Sequence, residues 1–372
     1  MNTDLPIPAL TIRPPADDDF EHAGTGSTGM RPQACSCGLI DTHTHWVPDR
    51  FPAYIGSRKG VAWPSLAPSD SACHGNVMIE GKVYRTVPTS SWDLSQRLQD
   101  MQNIGVAQQV LSPMPELLSY WLAPDDALTL TGFLNDRLAE QVNAQPDHFM
   151  ALGTVPLQDM DAAIRELERV VRVLGLPGVE IGSNINGRPI GHPELLPFFE
   201  AAEALGAAIF VHALRPCGMD RLVGPPVLEQ VLAFPGEIGL AAASLLTAGT
   251  LARHPALRIA FSHGGGSLPV LLTRLQHAWE SMPALRQGIE HAPNELARKM
   301  YFDDLVYDSR GIETLLDSYG PGQVMVGSDY PFAIMDRAPA DRIDRLAIAQ
   351  TTRTLLRRDN ARRWLADTRP AC

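Results

Sequence analysis

The chain has 372 residues, 45% of them hydrophobic, and a formal net charge of −11. This length suits either one large α/β-barrel domain or two ordinary domains. Because the sequence contains no basic block, we expect neither nucleic acid nor an anionic membrane as a partner. A small anionic substrate is still compatible with this charge, since a metal ion and a few arginines can reverse the field locally.

We also expect no membrane-spanning segment and no signal peptide. The sequence shows no apolar stretch that reads as long enough to span a bilayer. Its first residues contain no basic region followed by an apolar one. Residues 1–36 are rich in Pro, Asp, Gly, Ser and Thr, and this composition predicts a flexible N-terminal arm.

The cysteines are few, odd in number and scattered along the chain: Cys35, Cys37, Cys73, Cys217 and Cys372. This pattern is not that of a disulfide framework, and it predicts a reducing, cytoplasmic location. Cys35 and Cys37 could bind a metal, but no second pair lies nearby. We therefore favour a structural or surface role for them.

From residue 38 onward, short apolar runs alternate with amphipathic helical stretches. Eight runs predict buried strands, at residues 39–45, 106–112, 149–156, 178–182, 207–212, 258–263, 300–306 and 324–328. Helical periodicity marks residues 161–174, 194–205 and 268–279, and Gly175, Gly206 and Gly320 lie where helices should end. Eight strands in a repeating βα order predict a (β/α)8 TIM barrel of the α/β class, formed by residues 37–372. A doubly wound sheet is the alternative, although it usually has fewer strands and often carries a Gly-rich phosphate turn.

Residues 56–90 interrupt the βα alternation. Within them, residues 77–87 form two β-rich halves around Glu80 and Gly81, which predicts a small β-hairpin insertion after strand 1. Insertions that follow barrel strands lie over the active-site face. Near the other end of the chain, residues 352–365 predict a basic amphipathic helix that closes the outer ring of the barrel.

The most informative motif is His43-Thr44-His45 at the end of the first apolar run. Side chains two residues apart point to the same face of a strand, so the two imidazoles lie close together. That geometry suits two ligands of one metal ion. Two ordinary polar residues would give the same pattern, so this motif alone is weak.

Three further candidates also end strand-like runs. His212 ends the fifth predicted strand, His263 ends the sixth, and Asp329 follows the eighth. In a barrel these carboxyl ends meet at one mouth, so five such residues favour a shared site over chance. The remaining histidines fall in loops or on helices, and we interpret them as structural or surface residues: His22, His74, His148, His192, His254, His277 and His291.

This set of residues suits metal chemistry. Zn²⁺ accepts imidazole nitrogens and carboxylate oxygens, and a catalytic site leaves a position for a further ligand. Three imidazoles and one carboxylate would hold one ion, and a fifth residue, for which histidine is well suited, would act as acid or base. Residues 264–266, Gly-Gly-Gly, would allow close backbone approach at a helix N-terminus, where a carboxylate binds. A tight βα turn explains the glycines equally well.

The chain resembles the amidohydrolase superfamily and, within it, the 2-amino-3-carboxymuconate-6-semialdehyde decarboxylase group. The resemblance covers roughly residues 38–365. The H-G-G-G and G-S-D-Y-P-F pieces and the G-K-V-Y-R hairpin are its most specific parts. The matching stretches are residues 40–45 (IDTHTH), 81–85 (GKVYR), 109–115 (QVLSPMP), 177–182 (PGVEIG), 210–212 (FVH), 262–266 (SHGGG) and 327–332 (GSDYPF).

The resemblance implies a role for each matching residue. It implies one metal ion, most often Zn²⁺ with Mn²⁺ as the alternative, and no organic cofactor. It also implies that His263 is the catalytic histidine beside the metal and that Arg85 pairs with a substrate carboxylate. Arg274 matches an arginine that enters a neighbouring subunit's site, which implies a homodimer. The implied metal ligands are His43, His45, His212 and Asp329.

One loop departs from the family pattern. The family's usual H-P-W-D-M after strand five is here His-Ala-Leu-Arg-Pro at residues 212–216. The tryptophan and aspartate are missing, and Arg215 could supply a new contact to a carboxylate or phenolate. A plain surface arginine is an equal alternative.

These features together predict a metal-dependent, non-oxidative decarboxylase of an unsaturated or aromatic carboxylic acid. An aminocarboxymuconate semialdehyde-like, picolinate-like or hydroxybenzoate-like acid fits the altered loop. A hydrolase or hydratase that uses the same metal to activate water needs the same ligands and is the alternative. A metal-binding barrel without catalysis is a third interpretation.

Overall fold

The computed structural model describes residues 38–225 and 227–368. The predicted arm at residues 1–36, the Cys35–Cys37 pair and Cys372 lie outside the described residues. In chain order the strands are β1 (Leu39–Trp46), β2 (Ser65–Pro68), β3 (His74–Ile79), β4 (Lys82–Pro88), β5 (Val106–Pro113), β6 (Phe149–Ala151), β7 (Gly178–Gly182), β8 (Asn184–Ile185), β9 (Arg188–Pro189), β10 (Ala208–His212), β11 (Arg258–Phe261), β12 (Tyr301–Asp303) and β13 (Val324–Met325).

The α-helices pack between and outside these strands. They are α1 (Leu94–Ile104), α2 (Pro124–Ala144), α3 (Met160–Glu168), α4 (Leu196–Leu205), α5 (Phe234–Thr247), α6 (Thr250–Arg253), α7 (Leu268–Ser281), α8 (Pro283–Gly288), α9 (Pro293–Ala297), α10 (Ser309–Tyr319), α11 (Pro339–Asp344), α12 (Gln350–Thr354) and α13 (Asn360–Leu365). Gly206 ends α4 with a left-handed φ of 61°, as the sequence predicts. Sequence periodicity did not identify α2 or α5.

The eight predicted strands are all present, and they follow one another in chain order. They form two parallel sheets, β1-β5-β6 and β7-β10-β11-β12-β13. Single parallel bridges join the sheets at both seams, between Gly153 and Val179 and between Thr44 and Tyr330. This is the strand order of a (β/α)8 barrel.

Several strands are shorter than predicted, because the chain leaves the extended conformation to form the mouth. The predicted eighth strand reached Ser328, but β13 ends at Met325 and Asp329 adopts a left-handed φ of 64°. The residues after β13 still follow β1. Thr42 N donates to Val326 O at 2.8 Å, and Asp329 N donates to His43 O at 2.9 Å. These hydrogen bonds between the two sheets place Asp329 beside the histidines of β1.

The barrel interior has its own hydrophobic cluster, which includes Ile40, Val110 and Phe210. Trp364 of α13 is fully buried in this cluster, with its ring centroid 6.0 Å from that of Phe210. Asn360 fixes the helix because its Nδ2 donates to Val324 O at the start of β13 and to Pro321 O in the preceding turn, each at 2.7 Å. The C-terminal helix therefore also closes the amino end of the barrel, whereas the sequence predicted only a place in the outer ring.

A three-stranded antiparallel sheet, β2-β3-β4, lies in the chain between β1 and α1. Ile79 pairs with Lys82 across Glu80 and Gly81. Both turn residues have positive φ, 55° and 71°, which is the signature of a two-residue I′ hairpin. Strand β4 carries Arg85.

The sequence led us to expect no apolar stretch long enough to span a bilayer, but the helical segment Glu229–Thr247 is long enough. It is 19 residues long with a mean hydropathy of 1.3, so length and composition alone would let it cross a membrane. Its inner face is buried in the protein core through Ile238, Ala242 and Leu245. On the same face, the buried Glu237 accepts a hydrogen bond from Asn184 Nδ2 at 2.8 Å. In all, 44% of the apolar stretch is buried inside the protein, and residues such as Leu240 are exposed on its other face.

Candidate active site

Four side chains that the sequence singled out converge at the mouth of the barrel. One ligand atom from each of His43, His45, His212 and Asp329 lies within 4.8 Å of every other, and all four residues are buried. His43 Nε2 lies 3.2 Å from His45 Nε2, and His45 Nε2 lies 2.7 Å from Asp329 Oδ1. The ring of His212 lies 4.9 Å from that of His45, centroid to centroid. The structure thus brings together the whole predicted ligand set.

The donor atoms fit a divalent metal ion. His212 Nδ1 lies 2.9 Å from Ala213 O, which directs the opposite nitrogen, Nε2, into the cluster. This Nε2 is buried and has no hydrogen-bond partner among the described residues. A buried polar atom without a partner calls for an explanation, and a bound cation supplies one here. Three imidazole nitrogens and one carboxylate oxygen are typical ligands of Zn²⁺ and Mn²⁺.

The environment favours the metal-binding form of His45, His212 and Asp329, whereas the hydrogen bond and charge of Asp303 outweigh burial and raise the pKa of His43. Burial lowers the pKa of His45 to about 4, although the Asp329 carboxylate acts in the opposite direction. Burial and the neighbouring histidines lower the pKa of His212 well below its usual value. Burial alone would raise the pKa of Asp329, but the hydrogen bond and charge of His45 outweigh it and lower this pKa to about 2. Neutral imidazoles and an ionised carboxylate are what coordination needs.

His263 stands beside the cluster, with its ring centroid 5.3 Å from that of His43 and 5.2 Å from that of His212. It begins a tight turn with a left-handed φ of 55°, so the strand ends at Phe261 rather than at His263 as predicted. Burial and the charge of His43 lower the pKa of His263 to about 4, although Asp303 and Asp329 oppose the shift. A neutral imidazole at this place can accept and pass on a proton.

The glycines after His263 are explained by close packing. A Cβ on Gly266 would lie 1.9 Å from Pro235 O, and a Cβ on Gly265 would lie 2.8 Å from the Phe302 ring. Gly266 has a positive φ of 58°. Helix α7 begins at Leu268, beyond the turn. The tight-turn interpretation therefore accounts for these residues.

A cavity of about 290 Å³ opens onto the cluster. Its polar lining consists of Arg85, Glu116, His212, Gln230, His263, Tyr307 and Asp329. Its apolar lining includes Pro115, Val231, Phe234, Pro235, Leu305, Val306, Phe332 and Ile334. The cavity is thus mostly apolar, and its lining includes two residues of the His/Asp cluster and both an arginine and a glutamate, which suits a small organic acid.

Arg85 lies on this wall as the sequence predicted. Its guanidinium stacks over the Phe332 ring, 4.4 Å from the centroid. Burial alone would lower the pKa of Arg85, but the nearby Glu116 and Tyr84 outweigh it and raise this pKa. The arginine is therefore a fixed positive charge that can hold a substrate carboxylate.

The profile of one family, described as Amidohydrolase, matches residues 40–366. The chain belongs to the amidohydrolase family. A 2-amino-3-carboxymuconate-6-semialdehyde decarboxylase of Dictyostelium discoideum is 36% identical to this amidohydrolase over 329 residues, which are 88% of this chain and 91% of that protein. This match places the chain in the decarboxylase group that its sequence resembles.

Two solved structures of decarboxylases are also similar to this amidohydrolase. A 2,6-dihydroxybenzoate decarboxylase, complexed with 2,6-dihydroxybenzoate, shares 26% identity and a TM-score of 0.68, covering 74% of this chain and 89% of that chain. A 5-carboxyvanillate decarboxylase of Novosphingobium aromaticivorans, complexed with manganese and 4-hydroxy-3-methoxy-5-nitrobenzoic acid, shares 25% identity and a TM-score of 0.66, covering 74% of this chain and 81% of that chain.

Two predicted arginines do not line the amidohydrolase cavity in the described part of the chain. Arg215 is exposed, and its guanidinium stacks over Trp121, 3.7 Å from the ring centroid. Arg274 is exposed on α7. Both substrate contacts therefore stay predictions. Arg274 could contact a substrate only if the cavity of a second subunit lay against the exposed face of α7.

Sequence reasoning missed two carboxylates of this site. Asp303, at the end of β12, lies with Oδ2 2.7 Å from His43 Nδ1 and accepts a hydrogen bond from His263 N at 3.0 Å. Its other oxygen accepts from Gly264 N at 2.8 Å. The second carboxylate, Glu116, lies on the cavity wall. Asp303 ends the observed strand β12, but the predicted strand continued to residue 306 and placed it in the strand's interior. No motif marks Glu116.

Proposed function

We propose that this amidohydrolase catalyses the metal-dependent, non-oxidative decarboxylation of an aromatic or unsaturated carboxylic acid. The observation that carries the proposal is the shared cavity of the His/Asp cluster, His263 and Arg85. A metal site, a proton-transfer group and a carboxylate-binding cation are the parts that this chemistry needs. Relatives named as decarboxylases over most of the chain support the same reaction.

For the resident ion, Zn²⁺ is our first choice and Mn²⁺ the second. Three imidazoles with one carboxylate suit Zn²⁺, whereas manganese is the ion in the carboxyvanillate decarboxylase structure. We expect no organic cofactor. Metal analysis of purified protein, followed by chelation and reloading with each ion, tests this choice. The expected result is about one ion per chain and recovery of activity with Zn²⁺.

The reaction breaks the bond between the substrate carbon and its carboxylate. CO₂ leaves without the bonding electron pair, and that pair on the carbon takes up one proton, so R–COO⁻ and H⁺ give R–H and CO₂. When bound, the ion supplies a Lewis acid that polarises a substrate oxygen. His263 takes a proton from solution and donates it to the carbon. Arg85 holds a carboxylate, and the apolar wall formed by residues such as Phe332 orients the ring.

Release of CO₂ separates this proposal from the hydrolase alternative. Metal-loaded protein is assayed with picolinate-like, hydroxybenzoate-like and muconate-like acids, without added oxygen or nicotinamide. We expect metal-dependent CO₂ from at least one acid, and a hydrated or ring-opened product without CO₂ would refute the proposal. His263→Ala should keep the metal and abolish turnover, whereas His43→Ala should lose the metal. A non-catalytic metal-binding barrel would instead be indifferent to His263→Ala.

The homodimer is part of the proposal. Several large apolar side chains are exposed on the adjacent segments of α5 and α7, including Leu240 at 53% and Val270 at 78%. Arg274 lies one turn beyond Val270 on α7. Apolar surface of this kind is typical of an interface between copies. An arginine on such a face would reach a neighbouring subunit's cavity rather than its own.

Subunit complementation tests the role of Arg274. Arg274→Ala and His263→Ala are each expected to be inactive. Mixing the two variants under conditions of subunit exchange should restore part of the activity, because a hybrid dimer pairs one intact His263 with an Arg274 from the other chain. If Arg274 acts on its own chain or not at all, mixing restores nothing. Light scattering gives the oligomeric state in the same samples.

The cytoplasmic location also belongs to the proposal. Cys73 and Cys217 are free and exposed, which suits a reducing compartment. Fractionation of the source cells with an antibody against the chain tests it, and recovery in a secreted fraction would refute it.

A further inference from the structure

A buried carboxylate lines the cavity that is expected to bind an acid. Glu116 lies in the turn Pro115–Leu118 that follows β5, and it is only 8% exposed while lining the cavity. The Tyr84 hydroxyl donates a hydrogen bond to its Oε1. No ion pair joins Glu116 to Arg85 or to any other cation within residues 38–225 and 227–368. The carboxylate is thus held in place without being neutralised by direct pairing.

The chemistry of this group limits what can lie against it. An ionised carboxylate is only an acceptor, and its two oxygens can take several hydrogen bonds. A buried acceptor is stable when donors reach it, and a second anion at the same place is repelled. Arg85, on the same wall, has the opposite requirement and selects a carboxylate or another acceptor. The wall therefore selects a ligand with an acceptor and a donor side by side.

We propose that Glu116 is a specificity-determining residue whose carboxylate accepts a hydrogen bond from an N–H or O–H substituent of the substrate, next to the carboxylate held by Arg85. The substrate class is then an acid with a hydroxyl or amino donor beside the recognised carboxylate. An acid with an ether, a tertiary amine or a second carboxylate at that position is discriminated against. This inference rests on the proposed function only in calling the ligand a substrate, because the preference in binding can be measured without turnover.

A neighbouring acid provides a matched control. Glu229, at the start of the helical segment that leads into α5, is close enough to interact electrostatically with both Glu116 and Arg85. It does not line the cavity among the described residues. Glu229→Gln therefore removes a negative charge from the same region without removing the proposed acceptor. A general effect of charge would appear in both variants, whereas hydrogen-bond recognition would appear only at Glu116.

Binding to the metal-loaded protein is measured by titration calorimetry with benzoates substituted at position 2 or 3. At each position the substituent is hydroxyl, amino, methoxy, dimethylamino or a second carboxylate. At one position at least, we expect the wild-type protein to bind the donor acid about tenfold or more tightly than its methylated counterpart and the dicarboxylate, as for a hydrogen bond to a charged group. In Glu116→Gln both ratios should fall below about threefold, and Glu229→Gln should keep the wild-type ratios. Glu116→Leu serves as a second variant with the same expectation, in case the amide disturbs folding.

The inference is overturned if the wild-type protein shows no such preference at either position or binds none of these acids. It is equally overturned if Glu116→Gln keeps the wild-type ratios, or if Glu229→Gln loses them as completely. Failure of the proposed function has a different signature, because the CO₂ assay with the same acids would then give no product while the binding ratios could still hold.

Discussion

We predict that Asp303 orients the metal ligand His43, a role that only the tertiary structure reveals. Its Oδ2 lies 2.7 Å from His43 Nδ1 and accepts from His263 N at 3.0 Å, and its Oδ1 accepts from Gly264 N at 2.8 Å and Leu305 N at 3.1 Å. Burial alone would raise the pKa of Asp303, but the hydrogen bond and charge of His43 outweigh it and lower this pKa. The ionised carboxylate therefore keeps the proton of His43 on Nδ1 and leaves Nε2 for the metal.

Asp303→Asn preserves the shape but supplies only one acceptor oxygen. In either orientation, its amide NH₂ group faces two of the four donors. If it faces His43, the imidazole proton moves to Nε2 and opposes metal binding. We expect metal affinity to fall about 10- to 100-fold, which is roughly 1.4 to 2.7 kcal/mol. One buried donor loses its partner in that orientation and two do in the other, so the free energy of unfolding of the metal-free protein should fall by about 1 to 3 kcal/mol.

Metal affinity is measured by competition with a chromogenic chelator, and stability by urea unfolding of the metal-free protein. The matched control is Asp304→Asn, because Asp304 is also buried but binds Arg342 at 3.0 Å and Gly327 N at 3.0 Å rather than a histidine. The control should lose stability and keep metal affinity. If Asp303→Asn binds metal within about twofold of the wild-type protein, His43 is not oriented by this carboxylate.

Further predictions concern stability, and each is measured by urea unfolding. Burial, together with the charges of Glu116 and Asp329, raises the pKa of Glu180 well above its usual value, although a hydrogen bond with Ser112 acts in the opposite direction. In the unfolded chain the glutamate pKa is about 4.3, so above that pH the unfolded state loses a proton that the folded state keeps, and the wild-type protein is destabilised. Glu180→Gln removes this effect. Its stability relative to the wild-type protein should therefore grow by up to about 1.4 kcal/mol per pH unit until the raised pKa is reached. A pH-independent difference, or the same trend in the exposed control Glu313→Gln, would contradict this. Trp364→Ala should cost about 3 to 5 kcal/mol because it empties the amino end of the barrel interior, and a loss below about 1 kcal/mol would show that the site collapses or is not packed. Gly266→Ala should cost on the order of 3 kcal/mol, because its Cβ would lie 1.9 Å from Pro235 O at a positive φ. Gly187→Ala has the positive φ but open space around its Cβ, so it should cost only about 1 kcal/mol, and equal losses would refute the packing argument.

The sequence by itself determined the metal platform. The two-residue period of a strand places His43 and His45 on one face, and the parallel βα order places the ends of β10, β11 and β13 at one mouth. Both rules depend only on strand geometry and on the order of strands and helices, and both can be read from the pattern of apolar residues in a single sequence. Helix ends followed the same local logic, as at Gly206, where a left-handed residue is needed.

Only the tertiary structure decided the rest of the site. Asp303 meets His43 across 260 residues of sequence, and Glu116 meets Tyr84 through a turn that carries no motif. Their roles depend on which way side chains point once the strands are curved into one ring, and no periodicity records that direction. The same holds for Arg215: its sequence position left a substrate contact and a plain surface role equally open, and only the structure shows its guanidinium stacked on Trp121. Metal ligands can be read from repeated strand ends, whereas the groups that orient them and select the substrate are defined by contacts between distant segments.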